Sequence, residues 1–210
     1  MTKKSSRVFR SSDFVIPSSF VIRHSSFRAE RAFTLIELLV VISIIIVLAG
    51  LVLATSGYVA AKGRRARAEA EIAAMSAALE SYKADNGIYP QSADTDALDP
   101  ITDAKPSASP VPNKYTKACL YLYEQVSGDS DGDRIVDAAK SYFAFKPNQL
   151  NPSDQAQHVT FIRDPFGNSY GYSTAKASNP AGTIGYNPTF DLWSVADDTT
   201  GNQNKWIKNW

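Results

Sequence analysis

Residues 31–50 read RAFTLIELLVVISIIIVLAG. The apolar run extends from Phe33 to about Ala54 and is broken only by Thr34, Glu37 and Ser43. About 20 such residues match one helical crossing of a bilayer. A buried core helix is the alternative, disfavoured because the run is long, lacks a polar face and directly follows a basic flank. Glu37 therefore needs an explanation, because an acid in hydrocarbon costs roughly 2.5–3.5 kcal/mol on insertion scales.

Charge is distributed unevenly around this run. The chain has 210 residues and a formal net charge of +1. Residues 1–32 hold Lys3, Lys4, Arg7, Arg10, Arg23, Arg28 and Arg31 against Asp13 and Glu30, so the remainder is net acidic. The basic charge belongs to the leading segment and does not point to a nucleic-acid partner. That segment is rich in Ser and Arg, contains the near-repeat SSFVIRHSSF at 18–27, and lacks helical or strand periodicity. It reads as a basic leader that is removed. Basic charge ahead of an apolar helix predicts export of the residues on its C-terminal side.

Helix signal continues past the apolar run. From Tyr58 to Asp85 the chain is rich in Ala, Lys, Arg and Glu, and Ile72, Met75, Leu79 and Tyr82 form one stripe at spacings of three and four. Arg65–Glu69 and Arg67–Glu71 bring opposite charges together at helical spacing. Asn86 or Gly87 suits a left-handed cap, and Pro90 prevents a restart. One helix of about 50 residues is expected, roughly 75 Å at 1.5 Å per residue. Its part at 33–54 suits a membrane, and its part at 55–86 suits one face of a soluble domain at 87–210. Gly50 and Gly57 are its softening points.

Residues 91–113 read as a loop or linker, and Tyr115–Gln125 as a short helix. SYFAF (141–145), VTFI (159–162), SYGYS (169–173) and FDLWSV (190–195) read as strands of one small antiparallel sheet. DPFGN (164–168) supplies a turn between two of them. The apolar stripe of the long helix is the available cover for this sheet. The expected fold is therefore α+β: a long N-terminal helix packed on a small antiparallel sheet.

Cys119 is the single cysteine, so no intramolecular disulfide can form, and it reads as a small buried hydrophobe. His24 and His158 are too few for a zinc centre or a His-based triad. The sequence contains no nucleophile–base pair and no Gly-rich phosphate loop, so a structural role is expected, not an enzymatic one.

AFTLIELLVVISI resembles the prepilin signal of type IV pilins and type II secretion pseudopilins. YKADNGIYP (82–90), DPFGNSYGY (164–172), FDLWSV (190–195) and WIKNW (206–210) resemble the major pseudopilin in particular. The resemblance covers residues 32–91 and 164–210. It implies a lollipop-like pilin fold and cleavage between Ala32 and Phe33 by prepilin peptidase, with methylation of the new Phe33 amine. Ala32 departs from the Gly usual in the family, the leader is longer than most, and the helix lacks the family's midway Pro. Many type IVa pilins close a C-terminal loop with a disulfide, which this chain cannot do.

The implied cleavage accounts for Glu37. It leaves a cationic amine on Phe33 at the head of an apolar helix, and neither that amine nor Glu37 is stable alone in lipid. Pairing within one helix, or between neighbouring subunits, relieves both, and pairing between subunits would set an axial register. The resemblance implies a single-pass inner-membrane protein with its head in the periplasm. Its implied partners are further copies in a helical filament, prepilin peptidase, the inner-membrane assembly platform, minor pseudopilins and the lipid bilayer. A type IV pilus major pilin is the alternative within the family. A membrane-anchored calcium-binding domain that never polymerises is the alternative outside it.

Major pseudopilins commonly hold Ca2+ in their last loop. The implied ligands here are Asp198, with Asp197 beside it, and the Val195 carbonyl, while Lys205 and Trp206 stand where the distal acids would be. Calcium prefers six to eight oxygens. The alternative is packing by Trp193, Trp206 and Trp210 in place of an ion. A second candidate is GDSDGDRIVDAAK (128–140). There Asp129, Asp131, Asp133 and Asp137 take EF-hand positions one, three, five and nine, with the Ile135 carbonyl at seven. Arg134 stands at the Gly position and Lys140 at the closing Glu position, so a solvated acidic turn remains the alternative.

Overall fold

The structure is a computed structural model that describes residues 33–103, 113–198 and 200–210. The leader at 1–32, and with it Ala32, lies outside the described residues. The fold is α+β, as the sequence predicts. The chain divides into two units, residues 1–50 and 51–210.

Helix α1 covers Leu35–Asn86, 52 residues. Leu, Ile and Ala have high or adequate helix propensity, and Glu37 in the first turn and Lys83 in the last suit the helix dipole. The helix is continuous through Gly50 and Gly57. It stops where Gly87 takes φ +80°, with the Gly87 N–H on the Lys83 carbonyl at 2.7 Å. Within the first unit the apolar side chains of α1 are exposed. In the second unit Ala68, Glu71, Ile72, Met75, Ala78 and Leu79 form its buried face. Tyr82, the last member of the expected stripe, is half-buried, and its hydroxyl donates to Gln125 at 3.0 Å.

The segment after α1 is more ordered than a linker. Ser92 and Thr95 cap the short helix α2 (Ala93–Asp96) reciprocally. Helix α3 (Lys114–Ser127) contains the predicted Tyr115–Gln125. Asn113 and Thr116 form its capping box, and Gly128, at φ +78°, ends it.

Among the described residues the strands are shorter than the sequence suggests and form two sheets, not one. β1 (Leu150–Asn151) pairs antiparallel with β2 (Phe161–Ile162). β3 (Gly171–Ser173), β4 (Asp191–Ser194) and β5 (Ile207–Lys208) form a three-stranded antiparallel sheet in the order β3-β4-β5. The turn at 164–168 joins β2 to β3 as expected, with Gly167 at φ +98° and its N–H on the Asp164 carbonyl at 3.0 Å. A single bridge, Arg163 to Ser169, flanks it.

SYFAF is not a strand. The Tyr142 and Phe143 N–H groups both donate to the Val126 carbonyl, at 2.8 and 2.9 Å, and so satisfy the C-terminal end of α3. Its rings pack on their neighbours instead, Phe143 on Phe145 at 4.6 Å and Tyr142 on Tyr82 at 5.2 Å between centroids. The cover of the sheets also differs. Helix α3 lies directly against β2 and β3, and the α1 stripe joins the same core through Ala68, Ile72, Met75 and Leu79. A second cluster gathers Leu98, Tyr115, Ala118, Trp193, Val195 and Trp206.

Candidate functional site

Three places carry the residues singled out by the sequence. The first is the start of α1. Phe33 is exposed, and Thr34 is the N-cap, its carbonyl accepting from the Leu38 N–H at 3.1 Å. Glu37 Oε2 accepts from the Thr34 N–H and from the Thr34 hydroxyl, both at 2.8 Å, while the Glu37 N–H donates to Thr34 Oγ1 at 3.3 Å. The acid is thus the fourth member of a Thr-x-x-Glu capping box. The sequence reading of Glu37 as a partner for an amine missed this local role, although the spacing 34 to 37 contained it. Capping uses one carboxylate oxygen and leaves Oε1 without a partner among the described residues.

The second place is the acidic loop. The carboxylates of Asp129, Asp131 and Asp137 lie within 4.8 Å of one another, an arrangement that can share a hard cation. Asp133 is not with them, and its Oδ1 accepts from the Ile135 N–H at 2.7 Å. Asp129 is buried and already accepts from the Tyr123 hydroxyl at 2.6 Å, Gly132 N–H at 2.7 Å and Arg134 N–H at 2.8 Å. Arg134 adopts φ +75°, the left-handed backbone that its position in such a loop requires. Its guanidinium bonds the carbonyls of Pro152 at 2.6 Å, Asp154 at 3.2 Å and Gln157 at 3.1 Å, which braces the turn from outside. Lys140, at the closing position, pairs with Asp85 of α1. The loop therefore lacks a closing carboxylate.

The third place is the C-terminal loop. Asp198 is buried and its two oxygens are filled. Oδ1 accepts from the Thr200 hydroxyl at 2.6 Å and the Thr200 N–H at 3.1 Å, and Oδ2 from the Asn202 N–H at 2.6 Å and the Trp206 indole N–H at 3.2 Å. The Thr200 hydroxyl, with the other donors, holds this carboxyl down at about 2, against the opposing effect of burial. The Val195 carbonyl accepts the Asp198 N–H at 3.0 Å. Asp197 is exposed. Trp206 stacks on Trp193 at 6.4 Å and 11°, and Trp210 meets Trp193 edge-on at 5.8 Å. This donor-lined carboxylate does not fit a bound calcium ion, which needs free oxygen lone pairs.

Cys119 is fully buried, and burial pushes its thiol up to about 11, which suits packing and not nucleophilic chemistry.

No curated protein and no solved structure matches the chain. Residues 27–53 match the family model described as the prokaryotic N-terminal methylation motif. The match spans Phe33, the Thr34–Glu37 box and most of the apolar run, and among the described residues one helix, α1, is long and apolar enough to cross a membrane. The match covers 27 of the 210 residues, and with the apolar helix it supports a prepilin-type amino-terminal segment and membrane anchoring through α1.

Proposed function

We propose that the protein is the major pseudopilin of a type II secretion system. Residues 1–32 are a leader, cut between Ala32 and Phe33, and the Phe33 amine is methylated. Residues 33–54 anchor the subunit in the inner membrane, and the domain at 87–210 lies in the periplasm beyond the soluble helix at 55–86. The Phe33 amine of an incoming subunit pairs with Glu37 of its neighbour. The assembly platform draws subunits into a short filament whose core is their apolar helices, with minor pseudopilins as further partners.

The observation that carries the reading is an acid in the first turn of an exposed apolar helix, inside the matched methylation motif. The resemblance of residues 164–210 to major pseudopilins favours that branch over a pilin. Deleting the gene in its native host tests the reading. Secreted proteins retained in the periplasm, with no change in surface filaments, are expected. Loss of long surface filaments with secretion intact would assign a pilin instead. Neither effect, with a monomeric membrane pool, would leave a non-polymerising anchored domain.

A further inference from the structure

The C-terminal loop does not fit the cation that the family resemblance implies. We propose that this chain closes the loop with its own hydrogen-bond donors, the Trp206 indole N–H on Asp198 and the Arg65 guanidinium on the Lys205 carbonyl. Loop geometry alone carries this proposal, which holds whether the chain builds a pseudopilus or a pilus.

A calcium loop is a ring of acceptors around a positive centre. Here the polarity is reversed, and donors converge on one carboxylate. An ionised carboxylate offers about four lone-pair sites. Asp198 accepts four donors, from Thr200 twice, Asn202 and Trp206. A cation could enter only by displacing them.

The donors are held in place by packing. Trp206 is buried and stacked on the fully buried Trp193, which fixes the direction of its N–H. Trp206 leads directly into β5, whose residues Ile207 and Lys208 pair with β4, so the bond to Asp198 also sets the start of the last strand. The second donor comes from α1. Arg65 donates to the Lys205 carbonyl at 2.7 Å, across 140 residues of sequence. A tethered guanidinium thus supplies positive charge to a loop carbonyl, next to the positions where Lys205 and Trp206 replace the expected acids. Charge-assisted bonds of this kind are stronger than neutral ones.

The test uses the full chain in detergent micelles and lysyl endopeptidase. Cleavage after the exposed Lys205 is followed by mass spectrometry, in excess EGTA and in millimolar calcium. Reading at Lys205 keeps any cation effect at Asp129–Asp137 out of the measurement. The unaltered chain is expected to be cut at the same rate in both conditions. Trp206→Phe keeps a ring and loses the N–H, and Arg65→Gln loses the charged donor; each is expected to be cut about tenfold faster in both conditions. Should Trp206→Phe fail to fold, Arg65→Gln decides alone. Calcium-dependent protection at Lys205 in the unaltered chain, or an unchanged rate in Arg65→Gln, would overturn the proposal.

Discussion

The Tyr170 hydroxyl donates to Glu71 Oε2 at 2.7 Å, joining the residue before β3 to the buried face of α1 across 99 positions of sequence. Arg67 holds the other oxygen at 2.8 Å, so the buried acid is fully engaged. Burial and the neighbouring Glu71 carboxylate push the Tyr170 hydroxyl well above its ordinary range, so it remains a donor at any physiological pH. Tyr170→Phe removes one bond and leaves Arg67 in place, and is expected to cost about 1.5 kcal/mol. Glu71→Ala leaves a buried hydroxyl unpaired and is expected to cost about 3 kcal/mol. Thermal unfolding of both variants in detergent checks the order. Equal midpoints for the two would mean that Arg67 and Tyr170 do not act through Glu71.

Gly171 opens β3 beneath the indole of Trp193, and a Cβ there would overlap the six-membered ring. Trp193 is fully buried between Tyr115 and Trp206 and cannot move aside. Gly171→Ala is therefore expected to destabilise by about 1–3 kcal/mol, as overpacking does. Tryptophan fluorescence during chemical denaturation reads this directly. A wild-type midpoint would show that the β3–β4 contact is looser than described.

Cys119 receives the Ile162 N–H on its sulfur at 3.3 Å and has no exposed surface. Burial raises its thiol to about 11, so very little of the reactive thiolate is present at neutral pH. Iodoacetamide at neutral pH is expected to leave the folded chain unmodified and to alkylate it fully in denaturant. Rapid native labelling would place α3 away from β2.

Glu37→Ala removes the reciprocal arm of the capping box and the proposed partner of the Phe33 amine. Thr34 still caps α1, so a helix of this length stays intact. An assembly defect is expected instead: processed subunits accumulate in the membrane and filaments are absent, read by sedimentation and electron microscopy. Filaments at wild-type yield would show that the carboxylate acts only as a cap.

Features set by nearby residues were legible in the sequence. The end of α1 follows from Asn86, Gly87 and Pro90, and the 164–168 turn from Asp164 and Gly167, whose backbone bonds close locally. SYFAF misled because alternating aromatics suit a loop capping α3 as well as a strand. β5 went unassigned because a two-residue strand has no period to detect. At the acidic loop Asp129, Asp131 and Asp137 lie together, while Asp133 lies apart with its Oδ1 on the Ile135 N–H, a division that the even spacing of the four acids does not signal. At the C-terminal loop, sequence marks where a carboxylate lies but not whether donors or a cation will face it. Only the fold brings Thr200, Asn202 and Trp206 onto Asp198.

Processing of the chain is decided by intact-mass and N-terminal peptide mass spectrometry on the protein from its native membrane fraction. A chain that begins at Phe33 and carries one added methyl group on its amine is expected. A mature chain that still carries Arg31 and Ala32, or one cut after the apolar run, would contradict that processing.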